Sequence, residues 1–136
     1  MKIYSSTQRR VEPKILYIED EADIRLIVQI ALEDIAGFTL KSCASGYEAI
    51  AEVETFKPDL ILLDVMMPGL DGPATLLELR KLPNAKTIPV IFMTARIQEK
   101  EIAQYRAIGI QDIISKPFEP LTLADTLERF WSKYNE

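Results

Sequence analysis

Apolar residues follow two rhythms along this chain, and the rhythms alternate. KILYI, residues 14–18, is a short apolar run stopped by Glu19, Asp20 and Glu21, which reads as a buried strand. Over residues 22–36 the apolar side chains Ile24, Ile27, Val28, Ala31, Leu32 and Ile35 recur at helical spacing and are expected to face inward. Gly37 comes next, where a left-handed cap closes a helix. The pattern then repeats. FTLKSCA is strand-like, and Ser45 is placed to cap a helix through Phe56 with Ala49, Ile50 and Val53 inward. After Pro58, LILL is a third strand. Beyond the Pro68-Gly69 loop, ATLLELRKL is a short helix, and Pro73 suits its first turn. VIFMT is a fourth strand, residues 99–108 a helix ended by Gly109, and DIIS a fifth strand. A last helix over about residues 121–134 puts Leu123, Leu127, Phe130 and Tyr134 on one side, where a core role is preferred to a dimer seam.

Five strands alternating with five helices predict a single α/β domain. The central strands are apolar throughout, as parallel strands covered on both faces should be. Right-handed crossovers then give a doubly wound sheet. The first 13 residues are polar, lack periodicity and read as a loose extension. The domain proper is expected over residues 14–136.

Composition narrows the chemistry. The chain has 136 residues, enough for one core, and 48% are hydrophobic, too many for disorder. No apolar stretch approaches the roughly 20 residues of a membrane helix, and the N-terminus has no signal-like core. Cys43 is the sole cysteine, so no internal disulfide forms and a cytoplasmic setting is expected. The net charge of −5 argues against direct contact with nucleic acid. With no histidine in the chain, Ser-His-Asp triads and Cys-His pairs are excluded, as are most zinc sites.

Ligands of open parallel sheets bind beyond the carboxyl ends of the strands, where strand order reverses. The residues closing the strands are Glu19 and Asp20, then Asp64, Thr94 and Lys116. Taken singly, each has an ordinary structural use as a cap, a turn residue or a solvated charge. Together they place three acids, a hydroxyl and an amine on one rim. Clustered carboxylates repel unless a cation sits among them, and magnesium suits all-oxygen ligands beside a phosphate. A carboxylate can also attack phosphorus to form an acyl phosphate, with Lys116 and Thr94 stabilising the phosphoryl oxygens.

Four segments carry a resemblance. ILYIEDEADIR, LILLDVMMPGLDG, VIFMTA and SKPF together resemble the receiver domain of two-component response regulators, over about residues 14–134. The resemblance implies a flavodoxin-like, five-stranded parallel sheet of order 2-1-3-4-5 with five helices. It implies that Asp64 accepts a phosphoryl group from a phosphohistidine on a sensor kinase or histidine phosphotransfer protein. Magnesium would be held by Asp20, Asp64 and the backbone carbonyl of Met66, with Glu19 acting through water or as a further ligand. Thr94 would swing to the phosphoryl oxygen, Lys116 would pair with it, and the Lys116-Pro117 bond would be cis.

The chain departs from the family at several positions. Ile113 stands where an aromatic usually sits, which puts the switch formed with Thr94 in question. Met66 and Arg96 occupy the positions that tune phosphoryl lifetime: Met66 is expected to screen water, and Arg96 to reach the phosphoryl group or an acid. Val65 stands where some members have tryptophan, so Trp131 is expected to report metal binding poorly.

The expected function is a stand-alone switch, with a receiver excised from a longer protein as the open alternative, and in either case no enzyme beyond its own phosphorylation and dephosphorylation. It would signal by protein contact or relay, as a monomer or a weak dimer through helix four, strand five and helix five. Three alternatives compete. A phosphatase of the haloacid-dehalogenase kind wants an acid two residues after the nucleophile, where Met66 stands. A flavin module wants phosphate donors where the chain carries three acids. A receiver that is never phosphorylated would not need the full set of side chains present here.

Overall fold

A computed structural model describes residues 12–95 and 97–135. Pro13 is already buried, so packing begins just before the first strand; residues 1–11 of the expected extension lie outside the described residues. The strands are β1 (Lys14–Ile18), β2 (Thr39–Cys43), β3 (Leu60–Asp64), β4 (Val90–Thr94) and β5 (Asp112–Ser115). They form one sheet of order β2-β1-β3-β4-β5 with every pairing parallel. The helices are α1 (Ala22–Gln29), α2 (Gly46–Phe56), α3 (Gly72–Arg80), α4 (Glu99–Ala107) and α5 (Pro120–Tyr134). A short 3₁₀ turn, Pro83–Ala85, leads into β4.

Alternate residues of the central strands serve opposite layers, which explains their unbroken apolar character. Ile15, Tyr17, Leu60, Leu62, Ile91 and Met93 pack with Val28, Leu32, Leu123 and Leu127 beneath α1 and α5. Leu16, Ile18, Ile61, Leu63 and Phe92 pack with Ala49, Val53, Leu76 and Leu79 beneath α2 and α3. Among these, α4 is the lightly held helix: none of its residues is fully buried, and it reaches the second layer through the partly buried Tyr105. Ser45 caps α2 as expected, its hydroxyl accepting from the Glu48 N–H at 3.1 Å. No helix among the described residues is long and apolar enough to cross a membrane.

The first helix corrects the sequence reading. Its last stretch, Ile30–Ile35, is a π-helix, where the Ala36 N–H reaches back five residues to the Ala31 carbonyl at 3.0 Å. The wider turn rotates the end of the helix away from the even stripe, so Ile35, expected inward, is 64% exposed. Ile27, at the edge of the stripe, is also exposed, while Val28, Ala31 and Leu32 carry the burial. Gly37 does adopt the left-handed conformation, with φ of 83°. At the other end of the chain, Leu123 and Leu127 are core while Tyr134 is exposed.

Candidate functional site

The order of strands reverses between β1 and β3, and their carboxyl ends carry the acids. Glu19 extends β1 by one residue, because its N–H bonds the Cys43 carbonyl at 3.0 Å. This draws its side chain fully under cover. Asp64 ends β3 and Thr94 ends β4, both buried. The Lys116 N–H bonds the Thr94 carbonyl at 2.9 Å, which sets the lysine beside β4. The Lys116-Pro117 bond is cis, as expected.

The lysine amine lies between two carboxylates, 2.9 Å from Glu19 Oε1 and 3.1 Å from Asp64 Oδ1. Its side chain is only 20% exposed. Glu19 Oε2 accepts from the Glu21 N–H at 3.3 Å. One carboxylate oxygen each from Glu19, Asp20 and Asp64 falls within 4.8 Å of the others. The donors are all oxygen, so the set fits a hard divalent cation such as magnesium, and the adjoining space has room for phosphate and water. Met66, Ala95, Glu21 and Lys116 line that space.

Burial pushes the Asp64 carboxyl up to about 6, with the Glu19 charge adding to the rise and Lys116 opposing it. For Lys116, burial pulls the amine down, but the hydrogen bond to Glu19 and the Asp64 charge outweigh it and raise the amine. Among the described residues, the Lys116 amine thus faces two buried acids, Glu19 and Asp64, an arrangement that favours further positive charge.

The loop after Asp64 is held by close backbone contact. The Gly72 N–H bonds the Val65 carbonyl at 2.9 Å. A Cβ at Gly72 would lie 2.8 Å from both the Asp64 carbonyl oxygen and Val65 Cα, so only glycine fits. Asp71 caps α3 by accepting from the Ala74 N–H at 2.9 Å. Met66 is 65% exposed at the rim. Ile113 is partly buried opposite Phe92, and the Tyr105 ring of α4 meets Phe92 edge-on at 5.1 Å. Arg96 lies outside the described residues.

The structure thus brings Glu19, Asp20, Asp64, Thr94 and Lys116 to one end of the sheet. Two contributors went unread in the sequence. Gly72 was visible in the PGLDG run but could not be assigned a neighbour. Arg25 donates from Nη1 to the Glu19 carbonyl at 2.7 Å, and the helical stripe had left it as an ordinary polar position.

Fold and site define a doubly wound α/β domain with an acid-lined pocket at its topological switch point. The chain belongs to the response regulator receiver domain family, whose sequence model matches residues 15–128. Among curated relatives, it is 38% identical over 114 residues to the phosphate regulon transcriptional regulatory protein PhoB of Pseudomonas aeruginosa, covering 84% of this chain and 49% of that protein. It is 37% identical over 107 residues to the alkaline phosphatase synthesis transcriptional regulatory protein PhoP of Bacillus subtilis, covering 79% and 43% respectively. The chain therefore spans about half the length of these relatives. Among solved structures, the Vibrio cholerae chemotaxis protein CheY4 superposes with a TM-score of 0.81 at 31% identity, covering 88% of this chain and 98% of that one. Members of the family generally accept a phosphoryl group, bind Mg2+ in an acidic pocket, and work with histidine kinases or phosphotransfer proteins.

Proposed function

We propose that this receiver takes a phosphoryl group onto Asp64 from a phosphohistidine of a sensor kinase or histidine phosphotransfer protein. The observation that carries the reading is the Lys116 amine seated between Glu19 and Asp64 at 2.9 and 3.1 Å, beside a three-carboxylate cluster. An Asp64 oxygen attacks phosphorus, and the bond from phosphorus to the donor nitrogen breaks. The imidazole leaves with that electron pair and takes a proton from solvent. Near neutral pH, Asp64 is largely ionised and ready to attack, its carboxyl titrating at about 6. Lys116 turns from the carboxylates toward the new phosphoryl oxygens, and the Thr94 hydroxyl donates to another.

Asp20, Asp64, the Met66 carbonyl and, directly or through water, Glu19 would hold Mg2+. When bound, the ion offsets charge on the transferring oxygens. Met66 at the rim limits water access and so slows hydrolysis.

The domain acts as a switch that turns over no external substrate. A phosphatase reading is disfavoured because Met66, two residues past Asp64, cannot protonate a leaving group. With Ile113 in place of an aromatic, output through α4, β5 and α5 proceeds without a ring on β5. We propose a cytoplasmic unit, monomer or weak dimer through that face, which signals by protein contact or relay and does not itself touch nucleic acid. Incubation with acetyl phosphate and Mg2+, then intact mass, should add one phosphoryl group to the wild type and none to Asp64→Asn. Equal labelling of both, or of neither, would overturn the reading.

A further inference from the structure

We propose that Arg25 is a positioning residue for the metal site, acting through the main chain of Glu19. This rests on Glu19, Asp20 and Asp64 forming the magnesium site. Glu19 is held at four polar points. Its N–H bonds the Cys43 carbonyl at 3.0 Å. Its carboxylate accepts from Lys116 at 2.9 Å and from the Glu21 N–H at 3.3 Å. Its carbonyl accepts from Arg25 Nη1 at 2.7 Å.

The last of these fixes the peptide plane shared by Glu19 and Asp20. A trans peptide is rigid, so holding its oxygen places the Asp20 N and Cα from which the side chain departs. Asp20 is the least buried of the three acids, and it leaves the sheet where β1 has ended and α1 has not begun. At that end α1 has no side-chain cap: Glu21 occupies the cap position without a capping hydrogen bond. Arg25 supplies the missing constraint from within the helix. Its own N–H bonds the Glu21 carbonyl at 2.9 Å as part of the first helical turn, while its guanidinium reaches back six residues to Glu19. One side chain therefore ties the start of α1 to the end of β1 across the acidic turn.

The division of labour between the two cations stems from their shapes and targets. Lys116 is a compact ammonium on the carboxylates, where it can yield to phosphoryl oxygens. Arg25 is a partly buried guanidinium on a neutral carbonyl, so it orders the ligands without taking the oxygens a metal needs. Outer contacts that orient ligands typically carry about 10-fold or more in metal affinity.

The test is calorimetric Mg2+ titration of wild type, Arg25→Met, Arg25→Lys and Asp20→Asn, with melting of each in EDTA. Arg25→Met should weaken Mg2+ about 10-fold, and Arg25→Lys should recover most of the loss. Labelling of Arg25→Met by acetyl phosphate should approach the wild-type rate at saturating Mg2+ and fall about 10-fold well below saturation. A purely structural role would lower the melting temperature and leave the folded protein's Mg2+ affinity unchanged. An Arg25→Met affinity equal to wild type overturns the proposal, and so does a tighter one, which would mean that the arginine acts by repelling the ion. If Arg25→Met does not fold, Arg25→Gln carries the same comparison. Unchanged binding by Asp20→Asn would instead overturn the metal-site reading itself.

Discussion

Replacing the phosphoacceptor with its amide should make this domain more stable, and the gain should depend on pH. The Asp64 side chain is 4% exposed. Burial and the neighbouring Glu19 raise its carboxyl from 3.8 to about 6, although Lys116 opposes the rise. The native state thus holds the proton more tightly than the unfolded chain does. Between those two values the native state carries more protons, so stability falls as pH rises through the window and the whole cost is present above about 6. At about pH 7.5 ionising Asp64 in place costs roughly 3 kcal/mol. Asparagine keeps the shape and one acceptor oxygen for Lys116, and never ionises.

Asp64→Asn should therefore exceed the wild type by roughly 3 kcal/mol at about pH 7.5 in EDTA, a rise of roughly 10 °C in melting temperature for a domain of this size. The difference should shrink toward zero near about pH 3, below both values, where the wild-type carboxyl is largely protonated in both states. Saturating Mg2+ should stabilise the wild type and close most of the gap, at about 2.7 kcal/mol for an ion at 100 times its dissociation constant. Urea unfolding monitored by circular dichroism measures each quantity. A variant no more stable than wild type at neutral pH would refute the reasoning, as would an advantage that persists unchanged into acid. Either result would mean that burial does not strain the Asp64 carboxylate.

Two further substitutions probe the surroundings of that carboxylate. Lys116→Met leaves Glu19 and Asp64 facing one another without their shared cation, so metal-free stability should drop by roughly 3 kcal/mol. Mg2+ should restore part of it, and urea midpoints that ignore Mg2+ would count against the charge argument. Gly72→Ala forces a methyl against two backbone atoms at 2.8 Å; it should cost roughly 1–3 kcal/mol and slow acetyl phosphate labelling of Asp64, and wild-type labelling would show that the loop yields without moving the carboxylate.

The strands were legible because burial on both faces leaves a plain mark, an unbroken apolar run closed by a polar residue. LILLD is such a run, and every residue of β3 is buried. The helical stripe of α1 was legible only as far as an even helical period holds. Periodicity assumes one constant turn, and the π-helix at Ile30–Ile35 breaks that assumption without any proline or glycine inside it. Ile35 then faces solvent although its spacing pointed inward.

Legibility at the site has the same physical divide. Which residues close each strand is a local fact, so the rim set of Glu19, Asp20, Asp64, Thr94 and Lys116 could be read directly. How they divide the work depends on register and on distant partners. Glu19 and Asp20 are adjacent acids in the sequence, told apart as ligands by the family resemblance and not by pattern or spacing. Only the pairing of β1 with β2, extended by the bond from the Glu19 N–H to Cys43, buries the first of them. Lys116 then meets Glu19 across 97 residues of chain, a contact with no local signature. Arg25 is the intermediate case: six residues separate it from the carbonyl it holds, close enough to be local yet outside the three- and four-residue spacings of helical pairs. Pairing rules confined to a single helix pass over contacts that cross from a helix back to the strand before it. In an α/β domain, that crossing is where the ligand site lies.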